Sequence, residues 1–169
     1  MMRIVISLLP IDQSNWRDAL DVLVTDDQLP FVADHQPVVL VILAKAYLEL
    51  GDKRWTPLAI VDDDRGLVGV VALADRAGTC ELFHLAVDRR HQHQGVATRA
   101  LAAILAFARD VLGCGHIELT VHQENESAQR LYAGGGFSPT GEQRHGEPVW
   151  SRGLSATTDP PEPPADAVV

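Results

Sequence analysis

Residues 81 to 101, ELFHLAVDRRHQHQGVATRAL, limit the possible folds more than any other stretch of the chain. Glu81 to Val87 is a short apolar run with β propensity, and Asp88 to Gln94 is wholly polar. From Gly95 the spacing turns helical, with Val96, Leu101, Leu105 and Ala108 as candidates for the buried side. The stretch therefore predicts a strand, a tight polar loop and the first turns of a helix. The small Gly95 and Ala97 leave the first N–H groups of that helix uncovered. These groups have no partner inside the helix, and the helix dipole is positive there. Such an end suits a phosphate or pyrophosphate. An ordinary strand-to-helix turn looks the same, so this stretch alone leaves both readings open.

The rest of the chain supplies the context. Arg3 to Leu9 reads as a first strand, ended by Pro10. A helix is expected over Ser14 to Val24, and a second is expected to start at Pro37 and stop at Gly51, with Leu40, Leu43, Ala44 and Tyr47 inward. Trp16, Phe31 and Tyr47 read as core anchors. Three strands follow, Pro57 to Val61, Leu67 to Ala74 and Thr79 to Val87, separated by breaks that end in glycine. The triple aspartate Asp62-Asp63-Asp64 lacks the alternating ligand spacing of a calcium loop and reads as a solvated turn. Beyond the helix at Gly95, a strand is expected over His116 to Val121, with Ile117, Leu119 and Val121 on one face. A short helix over Asn125 to Ala133, a strand from Phe137, a turn over Glu142 to Gly146 and a last strand to Leu154 complete the body. The proline- and acid-rich Ser155 to Val169 reads as a disordered tail. This order predicts a mixed α/β (α+β) sheet: a three-stranded antiparallel meander, then a right-handed crossover to a parallel neighbour.

Composition narrows the function classes. The 169 residues suit one domain, and two cysteines, Cys80 and Cys114, read as small packing residues in a reducing cytoplasm. No run is long enough to span a bilayer, and no secretory signal is apparent. Three acids of the tail, Asp159, Glu162 and Asp166, account for part of the net charge of −9, leaving −6 on the body. An acidic body argues against nonspecific nucleic-acid binding and is compatible with a cationic substrate. His91 and His93 have no companion at ligand spacing, so no metal is expected.

Two motifs then carry a resemblance over residues 1 to about 154. Gln92-His93-Gln94-Gly95-Val96-Ala97, following a strand that ends Leu85-Ala86-Val87, is similar to the Q/R-x-x-G-x-G/A signature of the GNAT superfamily of N-acyltransferases. Asn125, Ala128, Tyr132 and Gly136-Phe137 match that family's N-x-x-A-x-x-x-Y-x-x-x-G-F pattern. Glu81 stands near the start of the fourth strand, where many members place a catalytic carboxylate. The resemblance implies a central sheet of about seven strands with a splayed pair, flanked by about four helices. It also implies acetyl-CoA as co-substrate and direct acyl transfer to an amine.

Each candidate residue has a physical role in that chemistry. The N–H groups of His93, Gln94, Gly95, Val96, Ala97 and Thr98, with Gln92 at the loop's start, would hold the pyrophosphate. The exposed backbone of Leu85, Ala86 and Val87 would pair with the pantetheine arm as an added strand does. Asn125 would hold that arm or cap its helix. Glu81 would be the base for the amine, directly or through water, and Tyr132, with an ordinary pKa of about 10, the acid for the departing thiolate. His84 and His122 sit near the expected cleft. No nucleophilic cysteine or serine is required.

Asn15-Trp16, the stretch from Gln28 to Ala33 and the ending Gly136 to Glu142 resemble the diamine and polyamine acetyltransferase-like branch, which implies a small aliphatic amine acceptor. Asp26, Asp27, Glu142 and Glu147 are candidates for an acidic border to its pocket. An aminoglycoside, an amino acid or a protein N-terminus are the alternative acceptors. A homodimer is the assembly common in the family. The rival reading is a non-catalytic acyl-CoA-binding module on the same fold.

Overall fold

Apolar runs broken by tight turns build one mixed sheet in the computed structural model, which describes residues 5–155. Its strands are β1 (Ile6–Pro10), β2 (Arg54–Asp62), β3 (Gly66–Arg76), β4 (Thr79–Val87), β5 (His116–Thr120), β6 (Ser138–Arg144) and β7 (Glu147–Gly153). They lie in the order β1-β2-β3-β4-β5-β7-β6. Only β4 and β5 pair in parallel; the other neighbours are antiparallel. The helices are α1 (Trp16–Leu20), α2 (Leu29–Val32), α3 (Val38–Tyr47), α4 (Val96–Asp110) and α5 (Glu126–Gly134). This is the expected seven-stranded architecture with one more helix, the four-residue α2. Among the described residues no helix is long and apolar enough to cross a membrane. The expected tail beyond Ser155 and the start of the expected first strand lie outside the described residues.

Strand alternation puts a core on each face of the sheet. Leu58, Ile60, Leu73, Ile117 and Leu119 pack with Val96, Leu101, Ile104, Leu105 and Ala108 of α4. Ala19, Val22, Val39 and Ile42 pack with Val70, Ala72 and Ala86 on the opposite face. Both cysteines are buried free thiols, as their packing role requires.

Five local expectations change. α1 is far shorter than the expected helix because its last N–H groups go elsewhere: Leu23 N–H to Asp88 (2.9 Å) and Val24 N–H to Gln36 (2.9 Å). α3 presents a different face from the expected one. Val38, Val39 and Ile42 are buried, whereas Leu40 is 51% exposed, Tyr47 89% and Ala44 also faces out. Trp16 and Phe31 are exposed as well, so none of the three aromatics is a core anchor. Finally, β6 runs on to Arg144, and the hairpin turns on His145 and Gly146, both at positive φ (53° and 81°) as a two-residue hairpin requires. Asp62 is also not solvated: it is 2% exposed and accepts from the N–H groups of Asp64 and Arg65.

The feature that positions the site is the divergence of β4 from β5. They pair only at Thr79↔His116, Cys80↔Ile117 and Glu81↔Glu118. Residues 82–87 continue with β3 on one side and no β5 partner on the other. A bulge marks the divergence, where Ala72 pairs with Phe83 but Val70 with Ala86, and His84 takes a positive φ of 56°.

Candidate active site

The gap between β4 and β5 opens a cleft of about 870 Å³. Its β4 wall contains Leu82, His84, Leu85, Ala86 and Val87. Its floor at the helix end contains Gln92, His93, Gly95, Val96, Ala97 and Thr98. The opposite wall is His122, Asn125, Ala128 and Tyr132, and α2 closes the side with Gln28 and Phe31. The chain thus brings together every expected cofactor residue except Gln94, whose side chain is exposed outside the lining.

At the helix end, Gly95 caps α4 in the left-handed conformation (φ 79°), and His93 is also left-handed (φ 58°). Among the described residues the N–H groups of residues 93–98 have no acceptor; the first satisfied one is Arg99 N–H, to Gly95 O at 3.3 Å. A run of unsatisfied N–H groups ahead of a fifteen-residue helix is a concentrated positive field. Gln92 plays a different part. Its side chain donates to Val87 O (2.9 Å) and exchanges hydrogen bonds with Gln28 (2.8 and 3.0 Å). The amide thereby ties the loop to β4 and to Gln28 at the start of α2.

On the far wall, Asn125 Oδ1 accepts from Ala128 N–H (3.2 Å) and caps α5. Tyr132 follows on the same helix, its ring edge-on to Phe137 at 5.7 Å. Burial pushes the Tyr132 phenol up, so it stays protonated across the neutral range.

Glu81 stands apart from the cleft lining. Its Oε1 lies 2.5 Å from Lys53 Nζ and 3.1 Å from Arg144 Nη1, the latter an ion pair without hydrogen-bond geometry. Arg144 also donates to Glu118 (3.1 Å). Two cations hold one oxygen of a carboxylate that stands outside the cleft lining, so this geometry gives no support to a direct base role for Glu81. His84 does line the cleft. Its Nδ1 lies 2.6 Å from Val32 O and its Nε2 lies 2.8 Å from Lys45 Nζ. His122 Nδ1 accepts from Glu124 N–H (3.1 Å), and its ring lies 5.1 Å from Phe31. Of the four acids expected to border an acceptor pocket, only Asp27 lines the cleft.

The profile of the Acetyltransferase (GNAT) family matches residues 16–137, which include both walls and the floor of the cleft. The chain belongs to the GNAT family. Human N-acetyltransferase 8B is 32% identical over 117 residues, 65% of this chain and 48% of the relative. Human N-acetyltransferase 8 is 36% identical over 96 residues, 52% of this chain and 38% of the relative. The chain thus spans less than half the length of these curated relatives. Among solved structures, spermidine N-acetyltransferase from Vibrio cholerae, in complex with CoA and spermine, superposes with a TM-score of 0.68 at 16% identity, covering 88% of this chain and 95% of that one. A putative phosphinothricin N-acetyltransferase gives 0.67 at 14% identity, covering 90% and 100%. At such identities these two show the fold.

Three residues of this GNAT domain have parts that the sequence alone does not show. Gln28 and Gln92 pair side chain to side chain across 64 positions. Asp88 belongs to the polar stretch after β4. It is 1% exposed and accepts from Leu23 N–H, Arg90 N–H and Arg90 Nε, the last at 2.7 Å. An aspartate directly after a strand and two residues before an N–H it can accept is the local signal for such a turn.

Proposed function

We propose that the chain is an acetyl-CoA-dependent N-acetyltransferase that moves an acetyl group directly to a primary amine. One observation carries the reading: β4 loses its β5 partner immediately above the unsatisfied N–H groups at the start of α4, with Tyr132 on the facing wall. The family membership supports it. The pyrophosphate would take the N–H groups of residues 93–98, and the pantetheine would lie along Leu85, Ala86 and Val87 as an added strand. The amine attacks the thioester carbonyl and loses a proton. The carbonyl oxygen gains charge facing the free N–H edge of β4. Tyr132 donates its hydroxyl proton to the departing thiolate, which burial favours by keeping the phenol protonated.

The acceptor we propose is a small di- or polyamine. The polyamine-like stretch around Gln28, the acidic body and Asp27 in the cleft support it. The two free thiols support a reducing compartment. The test is release of CoA thiol from acetyl-CoA with putrescine, spermidine, an aminoglycoside, an amino acid and a peptide N-terminus in parallel. Turnover with the first two identifies the acceptor class. Tight CoA binding with no thiol release for any amine would sink the enzyme reading and leave a binding module.

A further inference from the structure

The cleft is lined by side chains from both faces of the sheet. Val96, Val121 and Tyr132 belong to the core on the α4 face, and Val24 and Ala86 to the core on the α3 face. Leu29 and Val32 of α2 pack against the second core, so α2 lies on the α3 face. The cleft therefore passes through the sheet where β4 and β5 part. The unsatisfied N–H groups at the start of α4 stand toward one face and α2 toward the other. A cofactor held at the start of α4 leaves the α2 side for the acceptor.

Among the described residues, one ring contact spans the cleft on that side. Phe31 of α2 meets His122, just beyond β5, with 5.1 Å between ring centroids and 50° between planes. Both residues line the cleft. The backbone carrying each ring is tied down. Gln129 donates to His122 O (3.1 Å), and His122 Nδ1 accepts from Glu124 N–H (3.1 Å). α2 buries none of its four residues, but Val32 O takes the contact from His84 Nδ1 (2.6 Å), and Gln28 pairs with Gln92 (2.8 and 3.0 Å). An acid flanks each ring in the lining, Asp27 on the α2 side and Glu124 on the β5 side. Aromatic faces beside carboxylates suit a cation. The cleft of about 870 Å³ has to hold the acyl end of the cofactor as well as the acceptor, whereas a pocket for one small molecule takes roughly 300–1,000 Å³. The rings thus narrow a space that two substrates already share.

We propose that Phe31 and His122 together set the width of the acceptor: they admit a primary amine on an unbranched chain and reject one of equal charge carried on a ring. The inference rests on the acetyltransferase reading above and adds to it the residues that select the acceptor's shape. His122 serves here through its ring and moves no proton.

Two diamines of equal charge and different width test the pair: putrescine, and the cyclohexane diamine with its two amines across the ring. Thiol release from acetyl-CoA gives kcat/KM for each, and calorimetry into the CoA-saturated full chain gives Kd for each. The parent is expected to favour putrescine by at least ~10-fold in both measurements, the scale on which a fitted pocket senses one methylene group. Phe31→Ala and His122→Ala should each bring the ratio near one, through a gain with the cyclic diamine. His122→Phe should keep the parental ratio, because it keeps a ring. Melting temperature and CoA affinity show that each variant is folded with its cofactor site intact. If His122→Ala does not fold, Phe31→Ala, at an exposed position, decides alone. A parent that takes both diamines alike, or binds neither with CoA in place, overturns the inference. An unchanged ratio in Phe31→Ala does the same. So does a His122→Phe chain that binds both diamines like the parent but loses turnover with both, since His122 would then carry a proton. Preferential binding of putrescine with no thiol release keeps the filter and removes the acetyltransferase reading alone.

Discussion

Asp88 and Leu23 stand 65 residues apart and are joined by a 2.9 Å hydrogen bond from Leu23 N–H to the Asp88 carboxylate. The bond fixes the end of the α1 segment to the start of the loop that leads into α4. Burial raises the Asp88 carboxyl, but Arg90 and the N–H groups of Leu23 and Arg90 outweigh it and hold the group below the ordinary aspartate value of 3.8. A depressed folded-state pKa contributes stability that is fully present above the unfolded value and is lost as pH falls through the folded one. Asp88→Asn should therefore cost about 1–3 kcal/mol at pH 7, the scale of leaving a buried donor without its charged acceptor. The difference between variant and parent should shrink below pH ~4. Urea unfolding at a series of pH values measures both, and an undiminished difference at pH 3 would contradict the assignment.

Tyr132→Phe separates packing from chemistry. The phenylalanine keeps the edge-on contact with Phe137 and removes only the hydroxyl. Thermal stability should change little, while kcat for the best amine should fall by ~10²-fold or more, the low end of general-acid contributions. Because burial pushes the phenol up, deprotonation of Tyr132 should not cut the parent's rate on the alkaline side below pH ~10. A Tyr132→Phe enzyme with parental kcat would end the acid assignment.

The β2-β3-β4 meander was legible because its two breaks end in glycine, at Gly66 and Gly78. The α4 face was legible because its apolar residues fall on one side. α3 was not, because its ten residues are apolar nearly all round except Lys45, so periodicity offers no preferred side. The early end of α1 was hidden because its last N–H groups are claimed by Asp88 and Gln36, from distant parts of the chain. The same holds for Glu81. Its position near the strand start could be read locally, but the Lys53 and Arg144 that hold it come from the turn before β2 and from β6. The cleft floor could be read because its donors are consecutive backbone groups, which need no tertiary partner to be recognised.

Two glycines separate rigid from yielding neighbours. A Cβ on Gly69 would lie 2.5 Å from the backbone oxygen of Ala86 and 3.1 Å from Ile60 Cδ1, beside the β4 bulge. A Cβ on Gly135 would also lie 2.5 Å from its nearest atom, but that atom is Leu101 Cδ2, at the end of a side chain. Backbone in a sheet cannot rotate away, whereas a leucine can change rotamer. Gly135→Ala should cost about 1–3 kcal/mol, the ordinary overpacking range, and Gly69→Ala should cost more. Gly69→Ala should also weaken CoA binding, since it displaces the β4 edge at Ala86. Denaturant midpoints and CoA calorimetry on the two variants test the order. Equal losses would show that the sheet yields as easily as the side chain.

Gly95→Ala tests the cleft floor itself. No atom lies within 4 Å of a Cβ at Gly95, so the substitution meets no steric obstacle. Its cost is conformational: at φ 79° an L-residue loses about 1–2 kcal/mol, or the loop relaxes to a negative φ. The first outcome lowers stability and leaves CoA affinity near that of the parent. The second spares stability but turns the N–H groups of residues 93–98 away from a common point, so CoA binds more weakly. His93 and Gly95 are both left-handed, so we expect the loss to divide between the two, with CoA affinity falling by ~10-fold for each ~1.4 kcal/mol of lost N–H contact. Removing the phosphates from the probe isolates the cause. Pantetheine lacks the groups that the floor would hold, so its binding should be the same in parent and variant. Equal weakening toward CoA and pantetheine would place the defect in the walls and take the pyrophosphate away from the start of α4.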